Sequence, residues 1–170
     1  MNGTGRSLGR TLAAAFPHTV PVLTGYLVLG MAYGVLMQAK GYGAIWAFLM
    51  SAVAFCGSMQ FVAITLLTGA FDPVGAFLMS LMVNARHLFY GVSMLGKYRG
   101  MGWAKVPLVY TLSDETFSIV SSVEPPVGMR ARDFYLAVSV LDYIYWVGGS
   151  VLGAWRGSSS DLTPRGWTSR

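Results

Sequence analysis

Long apolar runs alternate with short polar connectors along this chain, and strongly polar residues interrupt several of the runs. Five apolar segments can be drawn: about His18 to Gln38, Ala44 to Leu67, Val74 to Leu95, Val106 to Val123 and Phe134 to Trp155. A helix needs roughly 20 residues to cross a hydrocarbon core of about 30 Å; four segments meet that length and the fourth is marginal. The connectors are Lys40 to Gly43, Gly69 to Pro73, Gly96 to Lys105 and Glu124 to Asp133, rich in helix-breaking Gly and Pro. The pattern predicts an all-α, polytopic integral membrane helix bundle of about five hydrophobic segments, one of them re-entrant or broken.

Composition points the same way. Hydrophobic residues make up 54% of the chain and charged ones 11%, against roughly a quarter charged in soluble domains; the mean hydropathy is +0.54. One domain is expected: residues 1–16 as a cytoplasmic N-terminal segment, 17–155 as the transmembrane unit, and 156–170 as a polar, disordered tail of Ser, Gly and Arg. The net charge of +5 is spread over the connectors and forms no basic stripe, which argues against a nucleic-acid partner. The lone Cys56 excludes an intramolecular disulfide and a multi-cysteine metal site, and it reads as a small packing residue. No phosphate-binding glycine loop, nucleophile elbow or ligand-spaced His and Cys cluster is present. The reading is therefore a non-enzyme with no cofactor and no metal, driven by a gradient.

Basic residues test the topology. If every segment crosses, Arg6, Arg10, Arg130 and Arg132 lie on the N-terminal side, facing Lys40, Lys97, Arg99, Lys105, Arg156, Arg165 and Arg170. That distribution runs against a cytoplasmic N-terminus. If the second or third segment enters and returns on one side, the excess moves to the N-terminal side, which the positive-inside rule prefers. Irregular backbone at membrane depth is tolerated where it lines a cavity, and broken helices build substrate sites in many transporters.

A charge inside hydrocarbon is costly, so membrane helices keep one mainly beside a cavity or a partner. Arg86, in Asn84-Ala85-Arg86-His87, offers a planar fork of donors suited to a substrate carboxylate or to an acid in the pore. On a helix Asn84, His87 and Gly91 share one face, and a histidine there is a candidate proton relay. Adjacent Asp114 and Glu115 point about 100° apart on a helix, so one can face the cavity and the other a neighbour. With Thr111, Ser118 and Ser122, Glu115 forms a polar stripe. Gln60, after Gly57, can bond a ligand or a freed carbonyl, and it can equally bind helix to helix. Asp142 is an alternative partner for Arg86. Substrate binding is assigned to Gln60, Asn84, Arg86 and His87, and proton or ion coupling to Asp114, Glu115 and Asp142. The small residues of Gly30 to Gly34 and Gly149 to Gly153 read as close helix packing, and Trp103 and Trp155 as interfacial belts.

Taken in order, Gly25-Tyr26 with Gly30-Met31-Ala32-Tyr33-Gly34, Ser51 with Phe55-Cys56-Gly57-Ser58-Met59-Gln60-Phe61, Asn84 to Tyr90, and Leu112-Ser113-Asp114-Glu115-Thr116-Phe117 resemble the AzlC-type branched-chain amino-acid permease family. The likeness spans about residues 17 to 155, with Cys56 and Ser58 where alanines are expected. The resemblance implies the large subunit of a two-component exporter of branched-chain amino acids. It would sit as a multi-pass protein in the lipid bilayer of a bacterial inner membrane, beside a small hydrophobic AzlD-type subunit. Family members continue with further membrane segments where this chain turns polar at Arg156, so a truncated or frameshifted product is expected. The competing reading is a non-transporting assembly subunit of a membrane complex, whose polar residues bind neighbouring helices.

Overall fold

The computed structural model describes residues 3–70 and 72–159, and all regular structure among them is helical. The elements are α1 (Gly3–Ala39), α2 (Ala44–Val53), α3 (Ser58–Thr68), α4 (Pro73–Asn84), α5 (Arg86–Met94), α6 (Lys105–Tyr110), α7 (Asp114–Ser122) and α8 (Ala131–Ser159), with a 3₁₀ turn, Gly102–Ala104, before α6. Among the described residues only α1 and α8 are individually long and apolar enough to cross a membrane.

Helix α1 begins at Gly3, well before the expected start, and takes in most of the segment expected to precede the membrane unit. Pro17 and Pro21 lie inside it. Interior prolines are costly, but packing on both sides holds the helix through them: Ala15 is buried, His18 meets Phe134 edge-on at 6.0 Å, and Thr19 shares a 3.1 Å hydrogen bond with Tyr145. Helix α8 likewise continues through Arg156 to Ser159, into the expected polar tail; residues 160–170 lie outside the described residues.

These two helices run parallel. His18 pairs with Phe134, Tyr26 with Trp146, Gly34 with Ser150 and Ala154, and Gly157 with Gln38, so both numberings rise together. Small residues permit the contact: a Cβ added at Gly30 would lie 3.0 Å from Ser150 N, and one at Gly153 would strike the Met31 backbone. The small-residue motifs thus face each other, as packing of this kind requires.

The three middle segments are each split in two, and α1 and α8 serve as a ruler for where each half goes. Their N-terminal ends define a near end and their C-terminal ends a far end. Ala47 and Ile64 share one apolar cluster with Tyr33, Met37 and Ala154 toward the far end. Deeper down, Ser51 bonds Ser150 at 2.8 Å and Gln60 accepts from Trp146 Nε1 at 2.7 Å, while Phe55 lies against Tyr143. Helices α2 and α3 therefore form a hairpin that enters from the far end and returns there. The α4–α5 segment instead passes through: Arg86 reaches Ser58 and Asp114, and Lys97 reaches the Val120 and Ser121 carbonyls and Glu124 near the start of α8. Helices α6 and α7 form a second hairpin, from the near end. Its tip is marked by Tyr110, 2.7 Å from the Ala52 and Val53 carbonyls, and its return by the Lys97 contacts.

The expectation of one re-entrant or broken segment is thus corrected: two hairpins enter, from opposite ends, and the third segment passes through with an interruption at Ala85. The fourth segment is not one continuous stripe, because Thr111 precedes the break and Glu115 follows it. Trp103 and Trp155 are exposed toward opposite ends.

The α1–α8 contact makes a sharp forecast. Gly34→Leu and Gly153→Leu should each lower stability by about 1–3 kcal/mol or more through overpacking, whereas Gly148→Ala, with open space at its Cβ, should be neutral. Thermal unfolding of the purified protein in detergent measures both; equal stability of all three variants would reject the close approach.

Candidate functional site

Three interrupted segments expose backbone at half depth, and each break needs its polar groups satisfied. At the end of α2 the Ala52 carbonyl accepts from the Tyr143 hydroxyl at 2.8 Å, and Tyr110 covers both Ala52 and Val53. Phe55 follows with φ 37°, rare for a residue with a side chain, and Gly57 has φ 37° as well. Such strain gathers at functional sites. At the second tip, Ser113 caps α7, its Oγ accepting the Thr116 N–H at 3.1 Å. Helix α3 starts on Gly57 without a side-chain cap.

The first residues of three half-helices meet here. Arg86, first in α5, forms an ion pair with Asp114, first in α7, and its Nη2 donates to Ser58 Oγ, first in α3, at 3.1 Å. Helix N-termini carry partial positive charge and favour anions. Arg86 Nε and Asp114 Oδ1 are buried without a hydrogen-bond partner. The pair therefore keeps one donor and one acceptor in hand.

Around it lies a cavity of ≈350 Å³, within the range of small-ligand sites. Arg86, His87, Ser58, Ser113, Asp114 and Glu115 supply its polar wall, and Leu29, Phe55, Phe61 and Trp146 its apolar one; Tyr26, Cys56 and Gly57 complete it. A groove of ≈460 Å³ shares Tyr26, Leu29, Asp114 and Glu115 and extends between α1 and α7 to His18 and Ser118, toward the near end. Among the described residues no three His, Cys, Asp or Glu side chains gather to hold a metal.

The residues expected from the sequence separate into two groups. Arg86, His87, Asp114 and Glu115 come together on the cavity wall. The two adjacent acids divide as their angle suggests: Asp114 meets Arg86, while Glu115 accepts a 2.7 Å bond from Tyr26 of α1. Asn84 instead bonds back to the Ser80 carbonyl at 2.9 Å, and its own carbonyl lies 3.2 Å from His87 Nδ1. Gln60 is fully buried, donating to Ser51 at 3.0 Å and accepting from Trp146. Both ends of its amide are committed, so it binds helix to helix. Asp142 does not partner Arg86; it accepts from Thr116 Oγ1 at 2.8 Å, within the core. Cys56 lines the cavity at the first tip.

Tyr26, Ser58, Ser113 and Trp146 were not singled out as site residues. Ser113 carried a usable signal: a Ser followed by Asp and Glu is a helix start, which marks a break inside an apolar run. Trp146 carried none, since an aromatic residue in an apolar helix usually packs, and Tyr26 was marked only by the Gly25-Tyr26 motif of the resemblance.

Comparison with known proteins places these features. The family model described as AzlC protein matches residues 21–159. The chain is 47% identical, over 85% of its length, to the branched-chain amino acid transport protein AzlC of Bacillus subtilis (strain 168), covering 57% of that protein. It is 38% identical to an uncharacterized membrane protein of Helicobacter pylori (strain ATCC 700392 / 26695), over 89% of this chain and 67% of that one. It is 24% identical to the inner membrane protein YgaZ of Escherichia coli (strain K12), over 82% of this chain and 58% of that one. The chain thus spans somewhat over half to two thirds of these relatives. No solved structure matches it.

Gln60→Met should destabilise the protein by about 1–3 kcal/mol, because the Trp146 N–H loses its acceptor inside the core. Denaturation monitored by Trp fluorescence checks it; an unchanged transition would mean that the Gln60 bridge carries no weight.

Proposed function

The chain belongs to the AzlC family, and on that premise we propose that it is the membrane-spanning large subunit of a gradient-driven exporter of branched-chain or similar apolar amino acids, working with a small hydrophobic AzlD-type partner in a bacterial inner membrane. It is a membrane transport protein by family; the substrate, the direction and the partner are the parts proposed. The observation that carries the proposal is the meeting of Arg86, Asp114 and Ser58 at the starts of three half-helices beside an apolar wall.

An amino acid is a zwitterion, and the site offers complementary charges in adjacent positions. Its carboxylate suits Arg86 and the uncapped start of α3; its ammonium suits Asp114 and Glu115. An aliphatic side chain suits Leu29, Phe55, Phe61 and Trp146, where burial favours it by roughly 25 cal/mol per Å² of apolar surface. His87 borders the carboxylate end. In this reading Asn84 and Gln60 position the site, Asn84 through the His87 contact and Gln60 through the first tip.

The architecture also supports transport. Two opposed hairpins meeting at half depth give a repeated unit of inverted direction, as in many secondary transporters. Arg10, Lys97, Arg99, Lys105, Arg130 and Arg132 lie toward the near end, and Lys40 and Arg156 toward the far end. The positive-inside rule then makes the near end cytoplasmic. The groove between α1 and α7 runs from the cavity to His18 and Ser118, toward the side from which an exporter loads. The exposed apolar face of α4 and α5, including Phe77, Leu81, Leu88 and Phe89, suits lipid or the small partner.

Efflux of valine, leucine and isoleucine from preloaded cells expressing the chain with its partner should fall about tenfold or more in Arg86→Ala and in Arg86→Lys, with membrane insertion intact. Unchanged efflux would reject Arg86 as the anchor. In a Cys56→Ala background, single cysteines at Gly41 and Asp72 should label from outside, and those at Arg99 and Gly128 only after permeabilisation. Labelling of Asp72 and Arg99 from the same side would overturn the hairpin topology.

A further inference from the structure

The cavity uses Arg86, Asp114 and Glu115, which leaves one acid without an assigned task by position. Asp142 sits midway along α8 and is 0% exposed. Its Oδ2 accepts from Thr116, its Oδ1 has no hydrogen-bond partner, and among the described residues it forms no ion pair. From α1 the titratable group facing it is Tyr26, and from α7 it is Glu115; α2 and α3 contain no charged residue. A purely structural carboxylate in such a place would be expected to have a cation or several donors around it. Here gain or loss of a proton is a large electrostatic change for the surrounding core.

Asp142 is also connected to the cavity. Thr116 Oγ1 lies 2.8 Å from it, Ser113 Oγ lies 3.0 Å from Thr116 Oγ1, Tyr26 Oη lies 2.7 Å from Ser113 Oγ, and Glu115 Oε2 lies 2.7 Å from Tyr26 Oη. Each link is a good hydrogen-bond length. Glu115 is on the cavity wall, so the chain joins cavity water to a buried carboxyl without a gap. It also joins α1 and α7, the helices that border the near-end groove, to α8.

We infer that Asp142 is a proton-binding site, filled and emptied from the cavity through Glu115, Tyr26, Ser113 and Thr116, and that the proton is the coupling ion. The step balances. A proton taken from cavity water onto Glu115 passes to Tyr26 Oη as the Tyr26 proton passes to Ser113 Oγ, the Ser113 proton to Thr116 Oγ1 and the Thr116 proton to Asp142. Four O–H bonds break and four form, Asp142 ends neutral, Glu115 ends as carboxylate, and each hydroxyl keeps one proton. Release runs the same hops backward. The coupling role rests on the transport reading; the site and its wire do not.

The test begins with the site alone. Infrared spectra of the purified chain in lipid nanodiscs, titrated with pH, should show a buried protonated-carboxyl band that vanishes in Asp142→Asn and persists in Glu115→Gln. In Tyr26→Phe and Thr116→Val the band should still titrate at equilibrium, but its hydrogen–deuterium exchange should slow by roughly tenfold or more, as expected when a positioned relay is removed. No band assignable to Asp142 at any pH would overturn the site, and unchanged exchange in both relay variants would overturn the wire. A band displaced by sodium chloride, and not by potassium chloride, would replace the proton with a metal cation. In liposomes, Asp142→Asn should keep valine exchange and lose accumulation driven by a pH gradient; retained accumulation overturns the coupling. A titrating Asp142 in a protein that moves no amino acid would leave the site standing and reject the substrate reading.

Discussion

The close parallel contact between α1 and α8 is the constraint on which the rest of the structure depends. Gly30, Gly34, Gly149 and Gly153 bring the two backbones together, which side chains larger than hydrogen would prevent. Parallel helices leave the intervening chain with an obligation: it must travel from the far end back to the near end. The α4–α5 segment makes that passage once. The α2–α3 and α6–α7 segments must then each return to the end they entered, and a return requires a break at half depth.

The chemistry of the centre follows from those breaks. Half-helix ends present donors and carbonyls in a poorly hydrated interior, where unpaired polar groups are costly. Tyr110, Tyr143 and Ser113 satisfy part of the demand. The N-termini of α3, α5 and α7 add partial positive charge, which Asp114 and Glu115 partly offset. Within this balance the zwitterionic substrate proposed above would add no net charge. On that proposal it would exchange with the Arg86–Asp114 pair, each of its ends replacing one partner, so that neither charge would be left alone.

Much of this was legible in the sequence, because apolar runs and their polar interruptions are local signals. Arg86, His87, Asp114 and Glu115 stood out as charges and a histidine in hydrocarbon, and all four line the cavity. The Ser113-Asp114-Glu115 start marked one break, and Gly57 stood beside another. The break at Ala85 had no such mark: Ala favours helix and its backbone is helical. The direction of each hairpin lay beyond local pattern, since it is set by Ile64 meeting Tyr33 and by Lys97 meeting Val120. Gln60 and Ser58 illustrate the same limit. The longer, more polar side chain turned into the packing against Trp146, and the smaller neighbour two residues earlier met Arg86. In a helix that choice belongs to which face the neighbours cover.

The two hairpin tips are not independent. The Tyr110 hydroxyl, on the near-end hairpin, covers the Ala52 and Val53 carbonyls of the far-end one, and Tyr143 of α8 bonds the same turn. Withdrawing the α6–α7 tip removes the Tyr110 hydroxyl from the end of α2, and water must then take its place. It also draws on Asp114 and Thr116, which bond to Arg86 and Asp142. A motion that opens the cavity toward one end thus perturbs the ion pair and the buried carboxyl together. On the proposed reading that mechanical link is what coupling requires: a substrate replacing one partner of Arg86, or a proton neutralising Asp142, would change the free energy of the same hairpin movement.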